Sequence, residues 1–308
     1  MFDIIGKRFW FFLISAVVII PGIIFLAIFG LRPGIDFTSG STMTLSFEET
    51  VDQGDLREAL AELGQSDAVI QYTTGEGNFF IRVKEIGEGG KEQIVDGLEE
   101  RFGPLTVLDF YSVSPVVAQE LVRYAAIAVA AAAVGILLYI SWAFRKMPAP
   151  FRYGTCAIIA LVHDVLVVLG IFSILGVFLN MEVNAMFITG VLTIIGYSVN
   201  DTIVVFDRIR ENITKGISRD FEVIVNSSLI ETLGRSLNTS LTTLFVLLAL
   251  FLFGGATIQN FILVLLIGII SGTYSSIGVA SSLLVVWEKG EWGRFIRWLP
   301  LPRAADGG

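Results

Sequence analysis

The chain has 308 residues, of which 54% are hydrophobic and only 16% are charged. Its mean hydropathy of +0.75 excludes an ordinary soluble globular protein and indicates a polytopic membrane protein. The only cysteine, Cys156, excludes an intrachain disulfide. The sequence contains no Walker A loop and no C-x-x-C or H-E-x-x-H spacing, so we expect no cofactor, no metal and no enzymatic activity.

The formal net charge of −8 is distributed unevenly along the chain. Residues 31–120 contain 6 Lys and Arg against 17 Asp and Glu, a net charge of −11, which leaves +3 for the other residues. We therefore expect one acidic domain within a slightly basic membrane protein. The acidity of that domain argues against a nucleic-acid partner.

The first predicted element is a membrane-spanning helix within residues 1–30. Phe9 to Phe29 is an apolar run that follows Lys7 and Arg8 and is long enough to cross ~30 Å of hydrocarbon. A cleaved signal peptide is the alternative. The run is longer than a signal-peptide core and lacks an A-x-A cleavage site, so we predict a retained span.

Residues 31–120 alternate between strand and helix patterns and predict a compact α+β domain. The order strand, helix, strand, strand, helix, strand is that of a ferredoxin-like fold. A turn at Gly75–Gly77 joins the two central strands. The predicted elements are Ser41–Phe47, Gly54–Leu63, Ala68–Thr73, Asn78–Lys84, Lys91–Phe102 and Leu105–Val113.

Residues 121–290 predict five further spans, which makes six in total. They cover approximately Tyr124–Phe144, Tyr153–Phe178, Asn184–Phe206, Leu237–Phe253 and Phe261–Trp287. The connection at 207–236 carries apolar residues at helical spacing. It is predicted to be either a separate amphipathic helix at the membrane surface or an extension of the fifth span. Residues 291–308 form a tail.

The distribution of Lys and Arg predicts the orientation in the membrane. Outside residues 31–120, fourteen of these residues fall on one side of a six-span topology and only Arg123 falls on the other. Both termini are therefore expected in the cytoplasm of a multi-pass inner-membrane protein. Residues 31–120 are expected on the extracytoplasmic side.

Three groups of polar residues lie at membrane depth, where charge is costly and indicates function. The first is His163 with Asp164. The second lies on the fourth span and consists of Thr193, Tyr197, Asn200 and Asp201. The third is Arg235 with Thr239.

Each of these groups allows a functional and a structural interpretation. Asp201 is either a titrating proton carrier or a structural acid, in a static ion pair or at a helix end that reaches water. In the functional interpretation Arg235 is its candidate partner, attracted when Asp201 is deprotonated and released when it is protonated. Arg235 is otherwise an ordinary anchor at the inner membrane edge. His163 is a possible relay residue, together with Tyr197 and Thr193, or a hydrogen-bonded core histidine.

Two motifs stand out: Gly34 to Ser41 reads GIDFTSGS, and Gly196 to Asn212 reads GYSVNDTIVVFDRIREN. Both resemble motifs of the SecF family, the SecF subunits of the SecDF protein-export complex in the resistance-nodulation-division superfamily. The first is similar to the family's G-I-D-F-x-G-G-x signature, with Gly34, Asp36 and Gly40 retained. Ser39 stands where the family usually has glycine. Gly196 to Asn212 is similar to the family's fourth-span signature nearly letter for letter.

The resemblance implies a SecD partner, the SecYEG translocon, contact with membrane lipid and with a translocating polypeptide, and export driven by a proton or sodium gradient. It places the family's fourth-span acid on Asp201, its fifth-span arginine on Arg235 and the hydroxyl one turn later on Thr239, and so implies ion coupling for these three. Asp164 corresponds to an acid commonly seen in the family's third span and is a further ion-coupling candidate. Asn200 is another candidate, because a carboxylate with nearby hydroxyls and this amide could serve a proton or a sodium ion.

Three alternatives remain open at this stage. The first is half of a small-molecule exporter of the same superfamily, which usually carries both halves in one chain. The second is a proton-independent assembly factor for the translocon. The third is an intramembrane hydrolase that uses His163 and Asp164, for which no nucleophilic serine is evident from the sequence.

Overall fold

The computed structural model describes residues 3–73, 77–87 and 89–293. The chain forms two compact units. One unit comprises Pro33–Ile127 together with Glu182–Ala185, and the other contains the long helices. Most of the predicted turn at Gly75–Gly77 and of the tail at 291–308 lies outside the described residues.

The first unit contains a four-stranded antiparallel sheet of β1 (Gly40–Phe47), β2 (Val69–Thr73), β3 (Asn78–Val83) and β4 (Leu105–Val113), in the order β2-β3-β1-β4. This strand order and the two helices confirm the predicted ferredoxin-like α+β domain. The strands follow the predicted ranges to within a residue or two. The elements are α2 (Ile35–Thr38), β1 (Gly40–Phe47), α3 (Gln53–Glu62), β2 (Val69–Thr73), β3 (Asn78–Val83), α4 (Gly90–Phe102) and β4 (Leu105–Val113).

The core of this unit lies between the sheet and the two helices α3 and α4. Each helix places two buried residues four positions apart on one face, Leu56 with Leu60 and Ile94 with Leu98. They pack with alternate residues of the strands, whose side chains point to one face of the sheet. Asp52 fixes the start of α3 because its carboxylate accepts the backbone N–H of Gly54 at 2.7 Å.

Within the described residues, six helical stretches are long and apolar enough to cross a membrane, which confirms the predicted polytopic α-helical class. The last of them is interrupted by a π-helical segment at Ser276–Ala280. The helices are α1 (Arg8–Phe29), α5 (Pro115–Ala143), α6 (Pro150–Leu179), α7 (Ala185–Lys215), α8 (Phe221–Phe253), α9 (Ala256–Ser275) and α10 (Ser281–Lys289).

The connection at 207–236 is not a separate helix in this structure. Helix α7 continues to Lys215, and after a short turn α8 runs without a break from Phe221 to Phe253. Asp220 caps α8 by accepting the backbone N–H of Glu222 at 3.0 Å. Of the two alternatives that the sequence left open, the structure shows the extension of the fifth span.

Small residues allow the helices of the second unit to approach closely. Gly22 of α1 faces Gly170 of α6, and a Cβ atom added to Gly170 would lie 2.7 Å from the Cα atom of Gly22. Gly272 of α9 packs against Ser198 of α7 in a similar way, with an added Cβ atom 3.0 Å from that of Ser198. These close approaches bring the polar side chains of neighbouring helices within hydrogen-bonding reach.

Candidate ion site

Asp201 lies on the buried side of α7, although it is an acid at membrane depth. Its side-chain oxygen Oδ1 accepts a hydrogen bond of 2.6 Å from the hydroxyl of Ser236 on α8. Its second oxygen, Oδ2, is buried and has no hydrogen-bond partner among the residues that the structure describes. Asp201 therefore has one oxygen held in place and one available to bind a proton or a cation.

Arg235 does not make the contact with Asp201 that the sequence suggested. The structure places Ser236, the next residue, against Asp201, while Arg235 is exposed on α8. Successive residues of a helix point about 100° apart, so the two positions cannot face the same partner. The hydroxyl of Thr239 donates to the carbonyl of Arg235 in its own helix at 2.9 Å. The predicted Asp201–Arg235 pair is therefore corrected to an Asp201–Ser236 hydrogen bond.

The remaining polar residues of the fourth span divide between two faces of α7. Asn200 and Thr193 are exposed, and the hydroxyl of Thr193 donates to its own helix. Tyr197 is half-buried, with its hydroxyl 3.5 Å from that of Ser240 on α8. The structure therefore does not bring Thr193 or Asn200 to the buried side on which Asp201 lies.

Asp164 of α6 is the centre of a second polar cluster and is only 1% exposed. Three serine hydroxyls donate to its carboxylate, all at 2.6–2.7 Å. Ser198 belongs to α7, whereas Ser271 and Ser275 are four residues apart on one face of α9. A single buried carboxylate thus holds three spans together.

His163 contacts the same carboxylate from its own helix. Its Nδ1 atom lies 3.0 Å from Oδ1 of Asp164, and its Nε2 atom lies 2.9 Å from the hydroxyl of Ser15 on α1. This Ser15–His163–Asp164 chain has the connectivity of a hydrolase triad. Ser15 is buried, however, and the hydroxyl of Tyr274 lies 3.3 Å from it. The arrangement is that of a hydrogen-bonded core histidine rather than an accessible nucleophile.

The serines are the functional candidates that sequence reasoning missed. None of the four serines, Ser198, Ser236, Ser271 and Ser275, is among the site residues predicted from the sequence. The available signal was a pair of hydroxyls at i and i+4 in a sequence that also places a carboxylate at membrane depth. A carboxylate without a cation nearby needs hydrogen-bond donors, and hydroxyls supply them.

The GIDF segment lies in the first unit, where Gly34 and Asp36 contact residues at the start of α7. The backbone N–H of Gly34 donates to the carbonyl of Val183 at 2.8 Å. The carboxylate of Asp36 accepts the backbone N–H of Ala185 at 2.7 Å. Ala185 is the first residue of α7, so Asp36 places negative charge where a helix start favours it. Burial and the charge of Asp36 raise the pKa of Tyr111.

Ser39 and Gly40 both have backbone angles that favour glycine. Gly40 has φ = +130°, and an added Cβ atom would lie 2.9 Å from the carbonyl of Val83. Ser39 has φ = +64° and ψ = 168°, a region that is nearly exclusive to glycine. The serine that departs from the family motif is therefore a strained residue.

We expect Ser39→Gly to raise the stability of the first unit by about 0.5–2 kcal/mol, because glycine adopts this conformation without strain. Thermal unfolding of the full chain in detergent measures the change. Ser46→Gly in β1 is the matched control, since Ser46 has an ordinary strand conformation and glycine weakens strands. A loss of stability in both variants would contradict the assignment of strain to Ser39.

In the part of the chain that the structure describes, an α+β domain after the first span, followed by five further spans with the buried acids Asp164 and Asp201, defines a class of polytopic membrane proteins. Two family models match the chain: "Protein export membrane protein SecD/SecF, C-terminal" over residues 94–290 and "SecD/SecF GG Motif" over residues 24–51. The chain belongs to the SecD/SecF family of protein-export membrane proteins.

The similarity to SecF proteins covers almost the whole chain. The protein translocase subunit SecF of Thermobaculum terrenum is 50% identical over 96% of this chain and 97% of its own length. The translocase subunit SecDF of Bacillus subtilis is 35% identical over 94% of this chain and 38% of its own length. The crystal structure of SecDF from Thermus thermophilus, a translocon-associated membrane protein, has a TM-score of 0.79 and 35% identity over 94% of this chain and 39% of its own.

Proposed function

We propose that this chain is the SecF-type subunit of a protein translocase and that, with a SecD-type partner, it uses an ion gradient to promote protein export across the cytoplasmic membrane. The observation that carries the proposal is Asp201, a buried acid at membrane depth with one oxygen held by Ser236 and the other unpartnered. A carboxylate in this state can gain and lose a proton or a sodium ion as access changes.

The exposed polar residues of α7 and α8 support a partner chain of SecD type. Thr193 and Asn200 on α7 and Arg235 and Asn238 on α8 are exposed on helices that cross the membrane. Polar and charged groups are costly against lipid and almost always face protein or a water-filled cavity. The fused SecDF relatives, in which a chain like this one is about two fifths of the whole, support the same partner.

The proposed orientation follows from the positively charged residues. Lys and Arg lie predominantly on the side that holds both termini, which the positive-inside rule places in the cytoplasm. The acidic unit at 31–120 is then extracytoplasmic, where it can contact a polypeptide that leaves a SecYEG channel. One elementary charge crossing the membrane releases ~2.3 kcal/mol per 100 mV, enough to bias a movement but not to unfold a stable domain.

We expect Asp201→Asn to abolish the gradient-dependent part of export, because an amide cannot carry a proton or pair with sodium. Export of a secretory protein into inverted membrane vesicles is measured with and without an imposed proton gradient, and again with a sodium gradient. Asp207→Asn is the matched control, since Asp207 is an exposed acid six residues later on the same helix, paired with Arg210.

The same preparation separates this function from its alternatives. Co-purification of a SecD-type chain with both variants shows that assembly is intact. If Asp201→Asn vesicles keep their full response to the gradient, the chain acts as an assembly factor and the coupling role of Asp201 is wrong. Gradient-driven efflux of small hydrophobic compounds, with unchanged protein export, would instead support the exporter alternative.

A further inference from the structure

We propose that Asp164 is a positioning residue that acts on Asp201 through Ser198, rather than an ion carrier in its own right. This inference rests on the proposed coupling role of Asp201. In this proposal the third span, α6, fixes the position of α7, the helix that carries Asp201.

The hydrogen bonds of Asp164 occupy its carboxylate and so argue against a role as an ion carrier. Both of its oxygens are in use: Oδ1 accepts from Ser271 and lies beside His163, and Oδ2 accepts from Ser198 and Ser275. It is more deeply buried than Asp201, whose Oδ2 has no such partner among the described residues. A fully satisfied buried carboxylate specifies one arrangement of its neighbours.

Ser198 connects Asp164 to Asp201, because Ser198 bonds to Asp164 and lies three positions before Asp201 on α7. The backbone carbonyl of Ser198 accepts the hydroxyl of Thr202, which lies 2.8 Å from the hydroxyl of Ser276. Ser198 and Thr202 thus fix the turn of α7 that contains Asp201. From α8, the hydroxyl of Ser236 donates to the carboxylate of Asp201 itself.

Two adjacent serines at the start of the π-helical segment Ser276–Ala280 contact different spans, because successive residues of a helix point about 100° apart. Ser275 donates to Asp164 on α6, whereas Ser276 contacts Thr202 on α7. A π-helical turn shifts the register of a helix, and such turns are frequent at functional sites. The interruption of the last span therefore lies where α6, α7 and α9 are joined.

On α7 itself, Tyr197 lies one turn before Asp201, with its hydroxyl 3.5 Å from that of Ser240. In the part of the chain that the structure describes, the spans bonded to this stretch of α7 also carry Asp164 and His163 on α6, and Tyr274, whose hydroxyl donates to the carbonyl of Phe11. From α8 the contact is the hydroxyl of Ser236, and Arg235 is exposed. Asp164 can therefore affect Asp201 by its charge or through Ser198.

Ser198→Ala separates these two routes, because it removes the connection without changing any charge. The readout is the labelling of Asp201 by a hydrophobic carbodiimide, which reacts with protonated carboxyl groups, in membranes that contain the full chain and its co-expressed partner. Mass spectrometry of the peptide that contains Asp201 gives the extent of labelling as a function of pH. Ser271→Ala is the matched control, since it removes an equivalent serine bond to Asp164 from α9 instead of α7.

We expect Ser198→Ala to move the pH midpoint of Asp201 labelling by at least ~0.5 units, and Ser271→Ala by less than ~0.2 units. In the Asp164→Asn background, Ser198→Ala should add no further shift, because residues that act through one connection are not additive. Equal midpoints in the two serine variants would overturn the positioning role while leaving the coupling role of Asp201 intact. Labelling of wild-type Asp201 that does not vary with pH would contradict the proposed function itself, and the positioning role with it.

Discussion

Replacing Asp164 with alanine is expected to lower the free energy of unfolding of the unit that contains the long helices by about 2–5 kcal/mol. The variant removes the common acceptor of three serine hydroxyls and the neighbour of a histidine ring nitrogen. Buried donors without an acceptor lose their hydrogen-bond energy and cannot regain it from water. Hydroxyls that turn back to their own helix carbonyls recover part of the loss, which sets the lower end of the range.

The loss of stability is measured by thermal unfolding of the purified chain in detergent. Asp207→Ala is the control, because its exposed ion pair with Arg210 contributes little to stability. We expect a clearly lower Tm for Asp164→Ala and an almost unchanged Tm for Asp207→Ala. Similar Tm values for Asp164→Ala and the wild-type chain would show that the serines do not depend on this carboxylate.

Gly170→Ala is the second substitution with a large expected effect, because it acts where the backbones of α1 and α6 approach closely. The new Cβ atom would lie 2.7 Å from the Cα atom of Gly22, far inside van der Waals contact. Backbone cannot rotate away as a side chain can, so α1 must move outward from α6. We expect a loss of about 1–3 kcal/mol, the usual range for overpacking.

Gly135→Ala provides a matched control for this substitution. Gly135 is also a glycine within a membrane-spanning helix, α5, but an added Cβ atom would meet nothing within 4 Å. We expect that variant to be neutral or more stable by up to ~1 kcal/mol, because alanine is the better helix former. If the two alanine variants unfold at the same temperature, the close packing of α1 on α6 is not a source of stability.

The fold could be predicted from the sequence largely because each unit has a strong local pattern. Spans such as Phe9–Phe29 are long apolar runs, and in the α+β unit period-two strands alternate with amphipathic helices. The ends of the helices were less predictable. Helix α7 continues past Asp207 and ends at Lys215. Charged residues at the membrane edge do not by themselves end a helix, whereas a following glycine or proline does.

The site could be predicted only as a set of residues, not as a set of contacts. Asp201, Asp164 and His163 were found because charge at membrane depth is rare. Their partners were not found, since a pairing depends on which face each helix turns to its neighbour. A difference of one residue, Ser236 in place of Arg235, changes the facing direction by about 100° and replaces an ion pair with a hydrogen bond.

The most direct test of the claim that Asp201 carries the coupling ion is to measure ion movement across a membrane with and without this carboxylate. Proteoliposomes that contain the chain with its SecD-type partner are given a pH gradient, and its decay is followed with a pH-sensitive dye; a parallel set is given a sodium gradient. We predict that one of the two gradients decays faster with the wild-type chain than in empty vesicles, and that Asp201→Asn returns the decay to that of empty vesicles. Equal decay with the wild-type and Asp201→Asn chains would contradict the claim that Asp201 carries the coupling ion.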